Sequence, residues 1–299
     1  MILKEVVVFY HRIDFDGVGA KEIFKQTLGD ECISYIGLNN GMMGECNYMV
    51  GDEHYLTILE KYAIDCREVW FLDIAPRTQA ELDTIESLKI PIGIIDHHQL
   101  KYKIEKQPII RWFNHEEGVS ACMLTWQYLH TEEPPLVVEL INDRDVWING
   151  MQPQTNYFNN CWGMLKENEV GDLIYRDDNF SLLNNWLAVG KIRETTNQKL
   201  IQHQVENIKT TKIDNLTVAH THNIEGGILS ETGNKLCEAH PYVDLYINTR
   251  YDKKRDMWNH QCRSLKGEAL QYIRNRDLKG GGHPNACGFT SELPHVPTW

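Results

Sequence analysis

Four places in the sequence gather side chains that hold divalent cations or move protons. His11-Arg12-Ile13-Asp14-Phe15-Asp16-Gly17 follows the apolar run Val6 to Tyr10. Asp73 follows Val69 to Leu72, Asp96-His97-His98 follows Ile90 to Ile95, and Asn142-Asp143-Arg144-Asp145 follows Leu136 to Ile141. One Asp after a strand is ordinarily a helix cap or turn residue, but four such clusters in order are hard to explain as caps. Carboxylates packed together raise one another's pKa values, and divalent cations remove that conflict. A mixed set of carboxylates and imidazoles suits Mn²⁺, Mg²⁺ or similar ions, whereas a thiolate-rich set would indicate structural zinc. Two ions held about 3.5–4 Å apart can share and deprotonate a water and clamp the attacking and leaving oxygens of a phosphate.

The elements that position these residues alternate in kind. Val6 to Tyr10, Val69 to Leu72 and Ile90 to Ile95 read as buried strands, separated by helical patterns through Phe24 and Leu28 and through Leu82, Ile85 and Leu88. Such alternation predicts an α/β fold with a mainly parallel sheet flanked by helices, in which ligands bind beyond the carboxyl ends of the strands. Leu182 to Lys209 reads as one long half-polar helix with no proline. Shorter strands follow: Leu216 to Ala219, Val243 to Thr249 and Met257 to Arg263, then a helix near Gly267 to Arg274. The expected organisation is a metal-binding domain over 1–181, a linker helix over 182–210 and a smaller α/β domain over 211–299. The glycines before His283, Gly280 to Gly282, would permit positive φ and let backbone N–H groups approach an anion.

Composition narrows the class. No window approaches the run of about eighteen apolar residues that a membrane span needs, and Met1 to Tyr10 lacks the features of a signal peptide, so a cytoplasmic location is expected. The eight cysteines are scattered, with no C-x-x-C pair, and read as reduced, mostly buried thiols. A formal charge of −12 weighs against tight binding of long nucleic acid; a small anionic substrate held by metals fits better.

At these residues the chain resembles the DHH phosphoesterase superfamily, which includes RecJ exonucleases, oligoribonucleases that also dephosphorylate pAp, cyclic-dinucleotide phosphodiesterases, family II pyrophosphatases and prune-type enzymes. Ile95-Asp96-His97-His98 looks like the family's signature, and Gly280-Gly281-Gly282-His283-Pro284-Asn285-Ala286-Cys287-Gly288-Phe289 looks like its C-terminal DHHA1 subdomain. Many relatives carry one more residue between the first His and the Asp-x-Asp than this chain does. The resemblance implies His11 and Asp14 as ligands of a first metal and Asp73 as a bridge to a second. Asp16, His97 and Asp143 would complete the second site, with Asp143 favoured over Asp145 by its offset from the apolar run. His98 would act with Asp73 in catalysis by facing the phosphate, and Asp96 would orient the histidines. Arg263, Gly281, Gly282 and His283 would hold the substrate.

The expected activity is Mn²⁺-dependent hydrolysis of short oligonucleotides or linear dinucleotides, with Mg²⁺ or Co²⁺ as alternative ions and pAp phosphatase action as an addition. The substrate would lie in a cleft between the two domains. Phosphatase or pyrophosphatase chemistry, RecJ-type exonuclease action and a non-catalytic nucleotide-binding role are the competing readings; a homodimer is left open. Ser120 reads as the cap of the helix through Cys122 and Leu129, and Trp112, Phe113, Trp126 and Trp147 read as core. His220 and His222, alternating in a strand, are read as pointing one way each and not as a metal pair.

Overall fold

The computed structural model describes residues 6–296 except 30, 32, 41–47, 51–52, 63–65, 77, 99–108, 178–179, 225–227 and 254, with the backbone alone of 39–40, 48–50, 53, 62 and 282–283. The first compact unit comprises Met1–Asn39 and Tyr48–Ile192, and the second is built on Arg193–Trp299.

The first unit opens with β1 (Val6–His11), α1 (Phe15–Leu28), β2 (Ile33–Asn40), the short β3 (Tyr48–Val50) and β4 (Glu53–His54), and α2 (Tyr55–Tyr62). It continues through β5 (Glu68–Leu72), α3 (Gln79–Ser87), β6 (Ile92–Asp96) and β7 (Ile110–His115). Four helices follow: α4 (Ala121–Leu129), α5 (Leu136–Asp145), α6 (Gln154–Asn159) and α7 (Glu167–Tyr175). The sheet runs β4-β3-β2-β1-β5-β6-β7, and the pairs β2/β1, β1/β5, β5/β6 and β6/β7 are all parallel.

The central strand shows why. Every residue of β1 is buried, as in a parallel strand covered on both faces. Because side chains alternate across a strand, Val6, Val8 and Tyr10 join the core beneath α1, α4 and α5. Val7 and Phe9 join the opposite core with Leu59 of α2 and Leu82 and Ile85 of α3. Lys21, only 5% exposed, pairs with Glu22 and reaches Glu167 at 2.7 Å; Tyr10 Oη donates to the same Glu167 at 2.8 Å. This buried network braces α1, β1 and the start of α7.

The long helix expected over 182–210 is α8 (Ser181–Glu206), which spans the boundary between the units. The second unit continues with β8 (Thr210–Ile213), β9 (Leu216–His222), α9 (Ile228–Ala239), β10 (Leu245–Asp252) and β11 (Met257–Arg263). It ends with α10 (Glu268–Asn275), β12 (Gly280–His283) and β13 (Ala286–Ser291). Its sheet order is β12-β13-β11-β10-β9-β8, mixed through the single parallel pair β9/β10. Val218, Ile247 and Phe289 pack with Ala269 and Ile273 of α10, whereas Ala219 and Tyr246 pack with Leu236 and Cys237 of α9.

Three expectations need correction. The fourth ligand-bearing segment, Leu136 to Ile141, is helical rather than a strand. Trp147 and Phe113, expected in the core, are 60% and 41% exposed: Trp147 lies beyond the end of α5, and the side chains of β7 alternate between half-buried and exposed. His220 and His222, two apart in β9, share a face, with ring centroids 5.6 Å apart. Cys66, Cys122, Cys161, Cys237, Cys262 and Cys287 are free thiols, buried apart from the half-buried Cys66; Cys32 lies outside the described residues, as does Cys46. Among the described residues no helix is long and apolar enough to cross a membrane.

Candidate metal centre

The carboxyl ends of β1, β5 and β6 and the end of α5 deliver the cluster. His11 is the last residue of β1. Asp14 then caps α1, accepting from the Gly17 N–H at 3.1 Å. Gly17 is required here: a Cβ would lie 2.0 Å from the His11 carbonyl oxygen. Asp16, in the first turn of α1, is 2% exposed. Its carboxylate accepts from the Ala121 and Cys122 N–H groups at 2.8 and 2.7 Å. It therefore sits on the positive end of α4, where helix dipole and unsatisfied N–H groups favour an anion. Ser120 caps that helix through the Met123 N–H, as expected.

Asp73 follows β5 in the left-handed region, φ 59°, a conformation Asp tolerates better than most residues. Its N–H is fixed on the Ile95 carbonyl at 2.9 Å. The turn sends one carboxylate oxygen to 3.1 Å from His11 Nδ1. The other lies 3.4 Å from His97 Nε2 and 3.7 Å from His98 Nδ1. Asp96, 1% exposed, accepts from the His97 and His98 N–H groups at 2.8 and 3.2 Å and lies 2.7 Å from His98 Nδ1. It thus orients the pair.

Three overlapping ligand groups result: His11, Asp14 and Asp73; Asp16, His97 and Asp145; and Asp73, Asp96, His97 and His98. Within each group the ligand atoms lie within 4.8 Å of one another. Asp14 is 2.8 Å from His11 Nδ1, and Asp145 is 3.2 Å from His97 Nε2. Of the six expected ligands, five converge here.

The carboxylate from α5 that joins the cluster is Asp145. Asp143, 3% exposed, faces away and accepts from the Gly150 and Met151 N–H groups at 2.7 and 3.3 Å and from the Thr155 hydroxyl. Helical phase explains this, because residues two apart on a helix point to different sides. Leu140, Ile141, Arg144 and Asp145 form the face that lines a small cavity with Asp14 and Asp16. The i,i+4 relation of Ile141 to Asp145 was the sequence signal for it.

The electrostatics are those of a site built for added positive charge. Burial, then the Asp73 and Asp145 charges, push the Asp16 carboxyl well above the usual range. Burial and Asp73 push Asp145 up to about 6. Burial opposes charge on His11, but its hydrogen bonds to Asp14 and Asp73 outweigh that and raise it to about 10. Burial likewise opposes the Asp73 charge, yet the hydrogen bond with His11 and the His97 imidazole 3.4 Å away hold its carboxyl below the ordinary value. The donor set also has unused capacity. His11 Nε2 and one oxygen each of Asp73, Asp96 and Asp145 are buried without a hydrogen-bond partner, a costly state unless an ion takes those lone pairs. Carboxylates and imidazoles with vacant, converging lone pairs fit hard or borderline divalent cations.

In the second unit, the Arg263 guanidinium donates to Ser230 Oγ at 2.6 Å and to the Cys262 carbonyl at 2.8 Å. The glycine run is the strand β12 rather than a loop, with Gly281 opposite Gly288 and Gly282 opposite Cys287. A Cβ on Gly280 would lie 2.2 Å from the Gly288 oxygen, so there glycine serves close strand approach. The backbone of His283 faces Ala286; its side chain lies outside the described residues.

No family model matches the chain, and no curated protein sequence does. Solved structures do share its fold. A manganese-bound RecJ exonuclease is similar at a TM-score of 0.60 and 15% identity, over 96% of this chain and 86% of that one. The DHH domain of a member of the S1p family of ribosomal proteins is similar at 0.60 and 11% identity, over 97% and 83%. RecJ from Thermus thermophilus with Mn²⁺ is similar at 0.55 and 14% identity, over 96% of this chain but 49% of that longer one. The chain shares the fold of RecJ and of that DHH domain.

Proposed function

We propose that the chain is a two-metal phosphodiesterase that hydrolyses short oligonucleotides or linear dinucleotides to mononucleotides. The observation that carries this reading is Asp73, whose two carboxylate oxygens face two different ligand groups, His11 with Asp14 and His97 with Asp16 and Asp145. A pair of divalent cations, when bound, supplies Lewis acidity and lowers the pKa of a water enough for attack near neutral pH. His11 and Asp14 would hold one cation, Asp16, His97 and Asp145 the other, and Asp73 both.

The chain's own residues do the rest. Asp96 fixes the ring of His98 through its Nδ1, and His98 would face a phosphoryl oxygen as charge develops there. Asp16 is pinned by two N–H groups of α4, which limits its movement during turnover. Arg263, held by Ser230, Gly281, Gly282 and His283 are the substrate-binding residues proposed for the second unit. A short substrate is favoured by the formal charge of −12, which opposes sequence-independent binding of a long polyanion. Manganese is the cation proposed for this carboxylate and imidazole set, with Mg²⁺ or Co²⁺ as alternatives.

The test is a panel of pApA, pGpG, pAp, pyrophosphate and a longer single strand with Mn²⁺, Mg²⁺ or Co²⁺, run beside metal analysis of the protein. Cleavage of the dinucleotides, lost together with bound metal in Asp73→Asn, is expected. Turnover of pyrophosphate alone would replace this reading with a pyrophosphatase, and nucleotide binding without product under any metal would replace it with a regulator.

A further inference from the structure

The segment after Asp145 is held in a costly shape and presents an aromatic ring to solvent. Trp147 has φ 56°, as does Asn149; for a bulky residue the left-handed region is strained and persists only where its surroundings over-determine it. Here they do. Buried Asp143 accepts from Gly150, Met151 and Thr155. The Val146 N–H donates to the Asn142 carbonyl at 3.2 Å, and the Trp147 N–H donates to the Arg144 carbonyl at 3.3 Å. The outcome is an indole left 60% exposed, two residues from a carboxylate of the metal cluster. Isolated surface hydrophobics are ordinary; one that a buried carboxylate and a strained backbone hold outward beside such a cluster is not.

Its neighbour supplies the second observation. The Arg144 guanidinium stacks over the Trp147 ring, 4.6 Å from the centroid. Arg144 also lines the small cavity with Asp14, Asp16 and Asp145. One arginine thus touches both the space beside the ligand carboxylates and the indole, and its charge matches a phosphate, as the indole face matches a nucleobase.

The geometry points to Trp147 as the platform on which a base of the nucleotide substrate stacks, with Arg144 beneath it directed at the adjoining phosphate. This assignment rests on the proposed activity and adds to it a recognised group, the heterocycle, bound in the first unit alone. The ring is planar and polarisable with no hydrogen-bond pattern aimed at base edges, so the platform selects for a base over none and discriminates weakly among bases.

The test compares AMP with ribose 5-phosphate, which differ by the base, titrated calorimetrically into the Mn²⁺-loaded protein. The native protein binds AMP more tightly. Trp147→Ala weakens AMP by about 5- to 150-fold, the range for one base on one aromatic side chain, and leaves ribose 5-phosphate unchanged. Trp147→Phe restores most of the difference, and with pApA the alanine variant raises KM with kcat nearly constant. Equal affinity of the native protein for the two ligands would overturn the platform, as would equal weakening of both in Trp147→Ala. So would a dimer in sedimentation that dissociates on the substitution while AMP affinity holds. Base-dependent AMP binding that needs Trp147, without hydrolysis of any phosphodiester, would keep the platform and reject the proposed activity.

Discussion

Asp143→Asn and Asp145→Asn, two residues apart, should have opposite phenotypes. Asp143 accepts from two N–H groups and a hydroxyl while 3% exposed. Asparagine keeps one acceptor oxygen but turns an NH₂ towards a donor. With bonds to a charged acceptor worth about 1.5–3 kcal/mol each, the loss should be about 2–4 kcal/mol of folding stability, with cation affinity changed little in the folded fraction. Asp145 is the reverse case. Its carboxyl, raised to about 6 from about 3.9 in an unfolded chain, holds a proton in the folded state that the unfolded state has lost. That stability is complete below about pH 4 and is lost as pH rises through about 6. Two pKa units correspond to roughly 3 kcal/mol at most, and 27% side-chain exposure screens that to about 1–2 kcal/mol. Metal-free Asp145→Asn should therefore be more stable than the native protein at pH 7.5 by that amount, and should bind Mn²⁺ more than about tenfold more weakly. Urea unfolding in EDTA and Mn²⁺ titration followed by electron paramagnetic resonance measure both. Loss of Mn²⁺ binding in Asp143→Asn at native stability would refute the assignment, as would destabilisation of metal-free Asp145→Asn.

Other consequences follow from the same geometry. Saturating Mn²⁺ at 100 times its Kd should raise unfolding stability by about 2.7 kcal/mol per independent site, read as an increase in Tm that EDTA reverses; no shift would argue against a resident cation. Gly17→Ala places a methyl against the His11 carbonyl, so it should lower Tm sharply or abolish soluble expression, and native-like melting would show that β1 and α1 can separate. His260 is fully buried, stacked on Phe289 at 4.4 Å, and held by burial, then by His295, down to about 3. It stays neutral when folded but not when unfolded, so stability should fall by up to about 1.4 kcal/mol for each pH unit below about 6.5; His260→Gln should flatten that dependence in urea titrations.

The strands were legible because buried parallel strands leave continuous apolar runs: Val6 to Tyr10 and Val69 to Leu72 match β1 and β5 closely. The candidate ligands His11, Asp73 and His97 were legible because each lies at the end of such a strand. What escaped was orientation. Asp143 and Asp145 differ by helical phase, which the run Leu136 to Ile141 encodes only once it is known to be a helix. The anchoring of Asp16 on the α4 amides joins residues 105 and 106 positions apart, and nothing local announces it. The exposure of Trp147 depends on a φ of 56° that composition does not reveal, and the glycines before His283 resemble a turn until their partners on β13 are seen.

The clamp formed by Asp143 separates two tasks that share one helix end. Because it ties residues 150, 151 and 155 back to α5, the intervening stretch can change its length or its aromatic side chain while Asp145 keeps its place. On the proposed reading, selectivity can then drift, or be engineered by loop grafting, without re-tuning the candidate metal ligands next to it.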